Sequence, residues 1–371
     1  MNFAKIVRTL AITGGMLALA GLTGCTQMDD AFEASVGGTP PARVATIGSP
    51  SSDETTTAKR FVGVDAFLQT AEMGRGVNVL SEDPGWNDPA NARFKVSYFK
   101  KIHDAGFSTV RIVTNPFSHM DDYYVVDAHW LKYLDTMIQA GLDADLTVIL
   151  DNHEFNYCGE NVAGCLPRLN AFWAQVAPRY RNASARLVFE ILNEPHQALT
   201  PELWNAQIKQ TLPIIRATNP VRNVIIGPGS WNSLSYLPKL ELPVVDRHLI
   251  VTFHYYAPME FTHQGSPWVS QYKLTGQNWG SSADLAQLNK DFDEVKAWSD
   301  KWNRPILLGE FGAYETGPMD GRIRYTNAVA RAAEARGFAW AYWQFDKDFI
   351  VYDVARDQWV EPILNALIPK K

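Results

Sequence analysis

The chain has 371 residues, of which 46% are hydrophobic and 20% are charged, and its formal net charge at pH 7 is −6. This is the composition of a globular protein with enough apolar material for one large domain or two medium ones. An acidic chain of this kind lacks the basic patch of a nucleic-acid-binding protein, so we expect no nucleic-acid partner.

The first residues, 1–24, have the pattern of an export signal. Lys5 and Arg8 supply a positive start, and the apolar stretch 10–22 is too short for a stable membrane span. The following Thr-Gly-Cys25 resembles the lipobox of bacterial lipoproteins, in which Cys25 would carry the lipid. Because no Asp follows Cys25, the resemblance implies an outer-membrane lipoprotein on the periplasmic or cell-surface face. The alternative is a signal cut elsewhere, with Cys25 incidental.

Residues 25–60 are rich in Ser, Thr, Pro, Gly and Ala. Thr39-Pro40-Pro41 and Thr55-Thr56-Thr57 are typical of a flexible tether. No later segment resembles a linker, so we predict one domain over 61–371.

Eight strand-like runs in this domain are each followed by polar or helix-like sequence. The strands are predicted at 74–80, 109–115, 146–153, 187–194, 223–227, 249–256, 305–310 and 338–345. Amphipathic helices are predicted at 96–105, 130–140, 169–180, 204–217, 285–302 and 323–336. This alternation predicts an α/β fold, a single (β/α)8 TIM barrel. The alternative is a doubly wound open sheet, but no Gly-rich phosphate loop follows the first strand.

Two cysteines, Cys158 and Cys165, flank the short segment 159–164. Export would permit a disulfide between them, and two cysteines are too few for a usual zinc site. We therefore predict a disulfide, with two free thiols as the alternative.

Polar and aromatic side chains collect where the predicted strands end. A barrel brings all its strand ends to one opening, so these residues should converge. In chain order they are Arg111, Asp151, Asn152, His153, Glu154, Asn193, Glu194, Trp231, His254, Tyr255, Tyr256, Glu310 and Trp343.

Glu194 and Glu310 are the most informative of these residues. Each ends a short apolar run, the first as Leu-Asn-Glu-Pro and the second as Gly-Glu-Phe-Gly. One such Glu means little, because a buried strand often finishes where water begins. A pair suits cleavage of a glycosidic bond, in which one carboxyl protonates the leaving oxygen and the other attacks the sugar.

The segments Asn193-Glu194-Pro195 and Gly309-Glu310-Phe311-Gly312 resemble glycoside hydrolase family 5, the large cellulase family of retaining barrels. The resemblance extends over 74–343. It implies that Glu194 is the acid/base and Glu310 the nucleophile, with no metal and no cofactor. It also implies active-site positions for Arg111, His153, Asn193, His254, Tyr256 and Trp343.

Electrostatics supports the same roles. A nucleophilic carboxylate must stay ionised, and Arg111 and the Tyr256 hydroxyl can stabilise Glu310 in that form. The acid needs a raised pKa, and a negative Glu310 beside it would make Glu194 harder to ionise. Asn193 can donate to a sugar 2-hydroxyl, and His254 can orient Glu194.

Tryptophans supply the expected sugar platforms. Trp343 can form the floor of the subsite that binds the reacting sugar, and His153 is expected to contact substrate there. Four further tryptophans lie in loop-like segments, where they can either stack sugars or pack in the core: Trp86, Trp231, Trp268 and Trp279.

We therefore predict a monomeric, surface-tethered endo-β-1,4-glucanase. The loop 261–268 is similar to that of endoglucanase-like members, but β-mannan, xyloglucan and xylan remain alternative substrates. A non-enzymatic alternative is a glycan-binding lipoprotein on an inactive barrel. A metallohydrolase using Asp151, His153 and His254 is disfavoured, because no His-x-His strand pair is present.

Overall fold

Residues 61–273 and 275–370 are described by a computed structural model of the chain. Eight parallel strands form a closed barrel in sequential order, and the last strand pairs with the first. They are β1 Arg75–Val79, β2 Thr109–Thr114, β3 Thr147–Asn152, β4 Leu187–Glu190, β5 Val224–Ile226, β6 Leu249–Tyr255, β7 Ile306–Phe311 and β8 Ala339–Tyr342. The predicted TIM barrel is confirmed, whereas the predicted signal, lipid-carrying Cys25 and tether lie outside the described residues.

Helices connect the strands and cover the barrel. They are α1 Ala66–Met73, α2 Ser97–Asp104, α3 Ala128–Asp143, α4 Phe155–Glu160, α5 Val162–Arg179, α6 Pro201–Arg216, α7 Gly229–Asn232, α8 Met259–Thr262, α9 Ser282–Trp302, α10 Met319–Ala335 and α11 Glu361–Leu367. A two-stranded hairpin of β9 Tyr352–Asp353 and β10 Gln358–Trp359 follows β8. In the part of the chain described, no helix combines the length and the apolar character needed to cross a bilayer.

The strands are apolar runs because both of their faces are covered. Every residue of β2, β3, β6 and β7 is buried, on one side by the barrel interior and on the other by helices. Side chains that alternate along each strand therefore belong to two separate cores.

The interior of the barrel begins with an apolar layer at the amino ends of the strands. This inner cluster contains Ile149, Val188, Ile225, Ile250, Leu307 and Ala339, none more than 2% exposed. Helix α1 closes this end by adding Ala66 and Met73 to the cluster. Asp65 begins the helix as its N-cap, accepting from the backbone N–H groups of Phe67 and Leu68.

Two local features affect the carboxyl ends of the strands. Cys158 and Cys165 are joined in a disulfide between α4 and α5, as predicted. Strand β4 stops at Glu190, and four residues later the backbone of Glu194 adopts a left-handed φ of 42°. Glu194 therefore lies on a loop rather than on the strand, where the sequence pattern had placed it.

Candidate active site

Arg111 on β2 organises the centre of the site. Its side chain is fully buried and binds both oxygens of Glu190, at 2.7 and 2.9 Å. Its remaining N–H groups reach Asn78 at 2.9 Å, Glu310 at 2.9 Å and Asn193 at 2.8 Å. A planar guanidinium suits this role because its five donors point in fixed directions.

The charge of Arg111 is secured by the acids around it. Burial alone would lower the pKa of Arg111, but the carboxylates of Asp151, Glu190 and Glu310 hold it well above its ordinary value. The Nη2 atom lies 3.0 Å from Asp151 Oδ2. Arg111 is therefore a permanent cation at the base of the site.

Glu310 lies at the end of β7 and contacts two donors. Arg111 Nη1 donates to Oε1 at 2.9 Å, and the Tyr256 hydroxyl donates to Oε2 at 3.0 Å. The register between β6 and β7 shifts by one residue, so that Phe253 stands opposite Leu308 while His254 stands opposite Glu310. Gly309 is the extra residue of this β-bulge.

The bulge needs a glycine because its surroundings leave no room for a side chain. A Cβ on Gly309 would lie 2.5 Å from Thr252 Oγ1 and 2.9 Å from His254 Nε2. The Gly-Glu pair of the sequence therefore has a steric explanation as well as a chemical one.

Glu194 faces Glu310 across the site. His254 lies between them, its Nδ1 2.6 Å from Glu194 Oε1 and 3.5 Å from Glu310 Oε2. The other ring nitrogen of His254 lies 3.3 Å from the amide nitrogen of Asn232. Oxygen atoms of the two glutamates lie within 4.8 Å of each other.

Burial controls the protonation of the three facing groups. It raises the pKa of Glu194 to about 8, with further contributions from the negative charges of Asp151 and Glu190 and against the effect of Arg111. Burial also raises the pKa of Glu310, as does Glu194, whereas His254 and Arg111 lower it.

His254 responds in the opposite direction, because burial disfavours its cationic form and lowers its pKa to about 4. It is therefore neutral at pH 7. Since Glu310 receives the Arg111 and Tyr256 donors directly, the negative charge of the pair is best stabilised on Glu310, and the proton on Glu194.

A second group of polar residues lies beside Arg111. His153 Nδ1 donates to Asp151 at 2.7 Å, and its Nε2 lies 3.4 Å from the Asn193 amide nitrogen. The ring of Trp343 stacks on His153, with centroids 5.5 Å apart and planes at 11°. Asn193 Oδ1 is bound by Arg111, which leaves its amide group facing His153.

The four further tryptophans differ in exposure. Trp231 is 47% exposed and Trp268 is 50% exposed, so both can offer a face to a ligand. Trp86 and Trp279 are 7% and 4% exposed, so the predicted sugar-stacking role is wrong for both.

The two buried tryptophans belong to the hydrophobic core. Trp86 packs against Trp130 and Tyr133, and Trp279 packs against Tyr325. A loop-like sequence therefore did not distinguish a surface platform from a loop that folds back onto the barrel.

The structure adds residues that the sequence pattern missed. Glu190 and Asn78 hold Arg111 in place, and Asn232 contacts His254. Glu190 lies within an apolar run, where an isolated acid was the one available signal. Asn78 donates its amide to carbonyls of Gly309, Ala341 and Tyr342 as well.

Glu194, His254 and Glu310 could also be considered as metal ligands, because their donor atoms lie within 4.8 Å of one another. However, Arg111 already supplies a fixed positive charge to Glu310 at 2.9 Å. A divalent cation would have to bind beside that charge, so the donor set fits proton transfer better than metal binding.

Residues 70–348 match the family model described as Cellulase (glycosyl hydrolase family 5). Endoglucanase H of Acetivibrio thermocellus is 34% identical over 82% of this chain and 34% of its own length. Endoglucanase B of Clostridium cellulovorans is 25% identical over 73% of this chain and 64% of its own length. This chain thus spans less than two thirds of either relative.

Solved structures agree with this assignment. The crystal structure of endoglucanase Cel5A from Thermotoga maritima is 38% identical and superposes with a TM-score of 0.78, over 82% of this chain and 100% of that one. A complex of the same protein, described as containing a mannotriose substrate, is 37% identical over the same shares, also with a TM-score of 0.78. With the family model covering most of the domain, the chain belongs to glycosyl hydrolase family 5.

Proposed function

We propose that the protein is a retaining glycoside hydrolase that cleaves internal β-1,4-glucosidic bonds by double displacement. The observation that carries the proposal is the separation of the two glutamates, whose oxygen atoms lie within 4.8 Å of each other. Retaining enzymes hold their carboxyl groups about 5–5.5 Å apart, whereas inverting enzymes leave about 6.5–9.5 Å for a water molecule.

In the first step, Glu310 attacks the anomeric carbon and forms an ester bond to the sugar. Glu194 gives its proton to the glycosidic oxygen, which leaves as a hydroxyl. The raised pKa of Glu194, about 8, keeps that proton available near neutral pH. Tyr256 and Arg111 stabilise the attacking carboxylate until its charge is consumed.

In the second step, Glu194 acts as base. Once Glu310 is esterified, it no longer carries the charge that disfavoured ionisation of Glu194. Glu194 then removes a proton from water, the oxygen attacks the anomeric carbon, and Glu310 is released. The Asn193 amide can bind the sugar 2-hydroxyl, a contact that strengthens in the transition state.

The substrate assignment follows the relatives, which are described as endoglucanases. A β-mannan is the second candidate, because one solved relative is described with mannotriose bound. Hydrolysis of xyloglucan or xylan would use the same mechanism, but no such observation supports either polymer as the substrate. Trp343 on His153, together with the exposed Trp231 and Trp268, offers aromatic faces suited to a chain of sugars.

The first experiment separates the two glutamates with an activated aryl cellobioside. Glu194→Ala should release one burst of phenol, because the good leaving group needs no acid while the second step lacks its base. Added azide should restore turnover and give a product of retained configuration. Glu310→Gly should form no glycosyl-enzyme, and azide should give at most an inverted product.

Exchanged results for the two variants would mean that the roles are reversed. Full activity in either variant would contradict the mechanism, whereas wild-type protein that is inactive on every substrate would leave the glycan-binding protein as the better interpretation. Reducing-end release from β-glucan, mannan, xyloglucan and xylan, with sizing of the products, tests the substrate and the internal cleavage.

We also propose that the mature protein is a monomeric, exported lipoprotein anchored through Cys25. The support is the sequence alone, with its positive start, apolar stretch and terminal Gly-Cys. Cys25→Ser should move the protein from the membrane fraction to the soluble fraction with its activity on soluble substrate unchanged. Continued partitioning of the variant into detergent would contradict the anchor.

A further inference from the structure

His196 lies two residues after Glu194 and makes a contact that the reaction steps above do not use. Its Nδ1 donates to the backbone carbonyl of Glu194 at 2.7 Å. The residue is 3% exposed, so water competes little for this bond. It therefore binds the backbone of the acid/base rather than the reacting carboxyl.

The Glu194 backbone needs such support. Its φ of 42° is left-handed, a conformation that costs a glutamate about 1–2 kcal/mol. The next residue is Pro195, which cannot donate a backbone hydrogen bond. An outside donor to the Glu194 carbonyl fixes the peptide plane and hence the direction in which the side chain leaves the backbone.

The His196 ring is itself held on several sides. Trp231 stacks on it with centroids 4.6 Å apart and planes at 21°, and Phe155 lies 5.5 Å away. Gly159 packs against the Nε2 side of the His196 ring so closely that a Cβ added to Gly159 would lie 2.8 Å from Nε2. Gly159 follows Cys158 of the disulfide, and its carbonyl accepts from the Ala198 N–H at 3.1 Å.

The protonation of the ring fits this arrangement. Burial lowers the pKa of His196, against the opposing effects of the Glu194 carbonyl and the Glu160 carboxylate. A neutral imidazole has a single N–H, and here the Glu194 carbonyl receives it. The Nε2 atom is then free of a proton where Gly159 approaches.

We propose that His196 is a positioning residue for the acid/base, held in place by Gly159 of the disulfide loop and by Trp231. The inference rests on the proposed function, because it assigns a role relative to Glu194 as proton donor. It differs from a general stabilising role, since it concerns one step of the reaction: proton transfer to the leaving oxygen.

The test compares two substrates and two replacements. Cellotetraose has a poor leaving group and needs the acid, whereas 2,4-dinitrophenyl β-cellobioside does not. His196→Gln, which moves the donor toward the Nε2 position, should lower kcat/KM on cellotetraose by roughly 10–100-fold and on the aryl substrate by less than about threefold. His196→Asn, whose amide nitrogen can occupy the Nδ1 position, should keep most of the cellotetraose activity.

Gly159→Ala tests the same contact from the other side and leaves His196 in the chain. Its Cβ should displace the ring and reproduce the loss on cellotetraose alone. Two controls are matched to these variants. His103→Gln changes a half-exposed histidine on α2, and Gly141→Ala places a Cβ 2.8 Å from Val148 in the core, so neither should separate the two substrates.

The outcomes distinguish the inference from the function on which it rests. Wild-type protein that is inactive on both substrates would contradict the proposed function. Active wild type with equal losses on both substrates in His196→Gln, or with no loss in both His196→Gln and Gly159→Ala, would overturn the inference alone. Should His196→Gln fail to fold, Gly159→Ala and His196→Asn still decide the result.

Discussion

The interior of the barrel has two halves that share the same strands but differ in chemistry. At the amino ends, Ile149 and Val188 belong to a dry apolar cluster closed by helix α1. Two residues further along the same strands, Asp151 and Glu190 are fully buried against Arg111. On each of these strands, a distance of two residues therefore separates an apolar side chain from a member of the ion cluster.

This difference assigns separate tasks to the two halves. Burial of apolar side chains stabilises the fold, whereas buried ions cost desolvation energy that their attraction repays only with good geometry. We expect substitutions in the apolar half to lower stability while leaving the chemistry intact. Substitutions in the charged half should lower activity more than stability.

The largest effect is expected for Arg111→Lys. Lysine keeps the positive charge but cannot reach Asn78, Asn193, Glu190 and Glu310 together, so Glu310 loses its directed donor. We expect kcat/KM on a soluble β-glucan to fall on the order of 10²–10³-fold. Stopped assays of reducing-end release measure this loss. An unchanged kcat/KM would mean that the ion cluster is structural.

The apolar half is tested by Leu307→Ala. Leu307 is fully buried in the inner cluster, so its truncation leaves a cavity and should lower the free energy of unfolding by about 2–5 kcal/mol. The kcat/KM of the folded variant should stay within about twofold of wild type. Urea denaturation and steady-state kinetics on the same sample give both values. A selective loss of activity would show that the two halves are coupled.

Glu194 provides a pH-dependent version of the comparison. Because its folded pKa, about 8, is raised from the ordinary 4.5, the folded state retains a proton that the unfolded state releases. This group therefore contributes stability that is full below about pH 4.5 and is lost as the pH rises through about 8.

The variant Glu194→Gln cannot ionise. Relative to this variant, wild type should lose on the order of 4 kcal/mol of unfolding free energy between pH 5 and pH 9, as measured by urea denaturation. Wild-type kcat/KM on cellotetraose should also fall as the pH rises through about 8, because Glu194 is then deprotonated and cannot act as the acid. Parallel stability curves for the two proteins would indicate that Glu194 is not buried in the protonated form.

The smallest effect is expected at the mouth of the barrel. Trp268→Ala removes a 50%-exposed ring that packs on Tyr314 and does not contact His196, so we expect KM for a long glucan to rise by about three- to tenfold. Trp86→Phe, a change in the buried cluster with Trp130, is the matched control. It should lower the thermal midpoint without changing KM. A rise in KM for both variants would contradict the distinction between platform and core.

Much of this arrangement followed from the sequence, because strand periodicity and strand ends are local signals. The eight alternations gave the barrel, and the strand ends gave Arg111 and the two glutamates. Helix α1 was not predicted, because its burial depends on strands that lie far away in the chain. Glu190 was missed for the same reason, since its partner is on β2.

The loop at Glu194 also needed the structure. The apolar residues before Glu194 have the pattern of a continuing strand. In the structure the backbone turns at Glu194, where hydrogen bonds from Asn193 to the Asn152 carbonyl and from His196 to the Glu194 carbonyl hold the left-handed conformation. The exposure of each tryptophan depended likewise on which loops fold back against the barrel.

The extra residue at Gly309 determines which way the nucleophile points. Leu307 and Glu310 both face the interior although they are an odd number of positions apart, which regular alternation does not allow. If Gly309 took a regular strand position instead of forming the bulge, alternation would turn Glu310 toward the helices and Phe311 into the barrel. The direction of the catalytic group thus depends on the irregular backbone at Gly309 as much as on the identity of residue 310, and even an alanine side chain at position 309 would collide with Thr252 and His254.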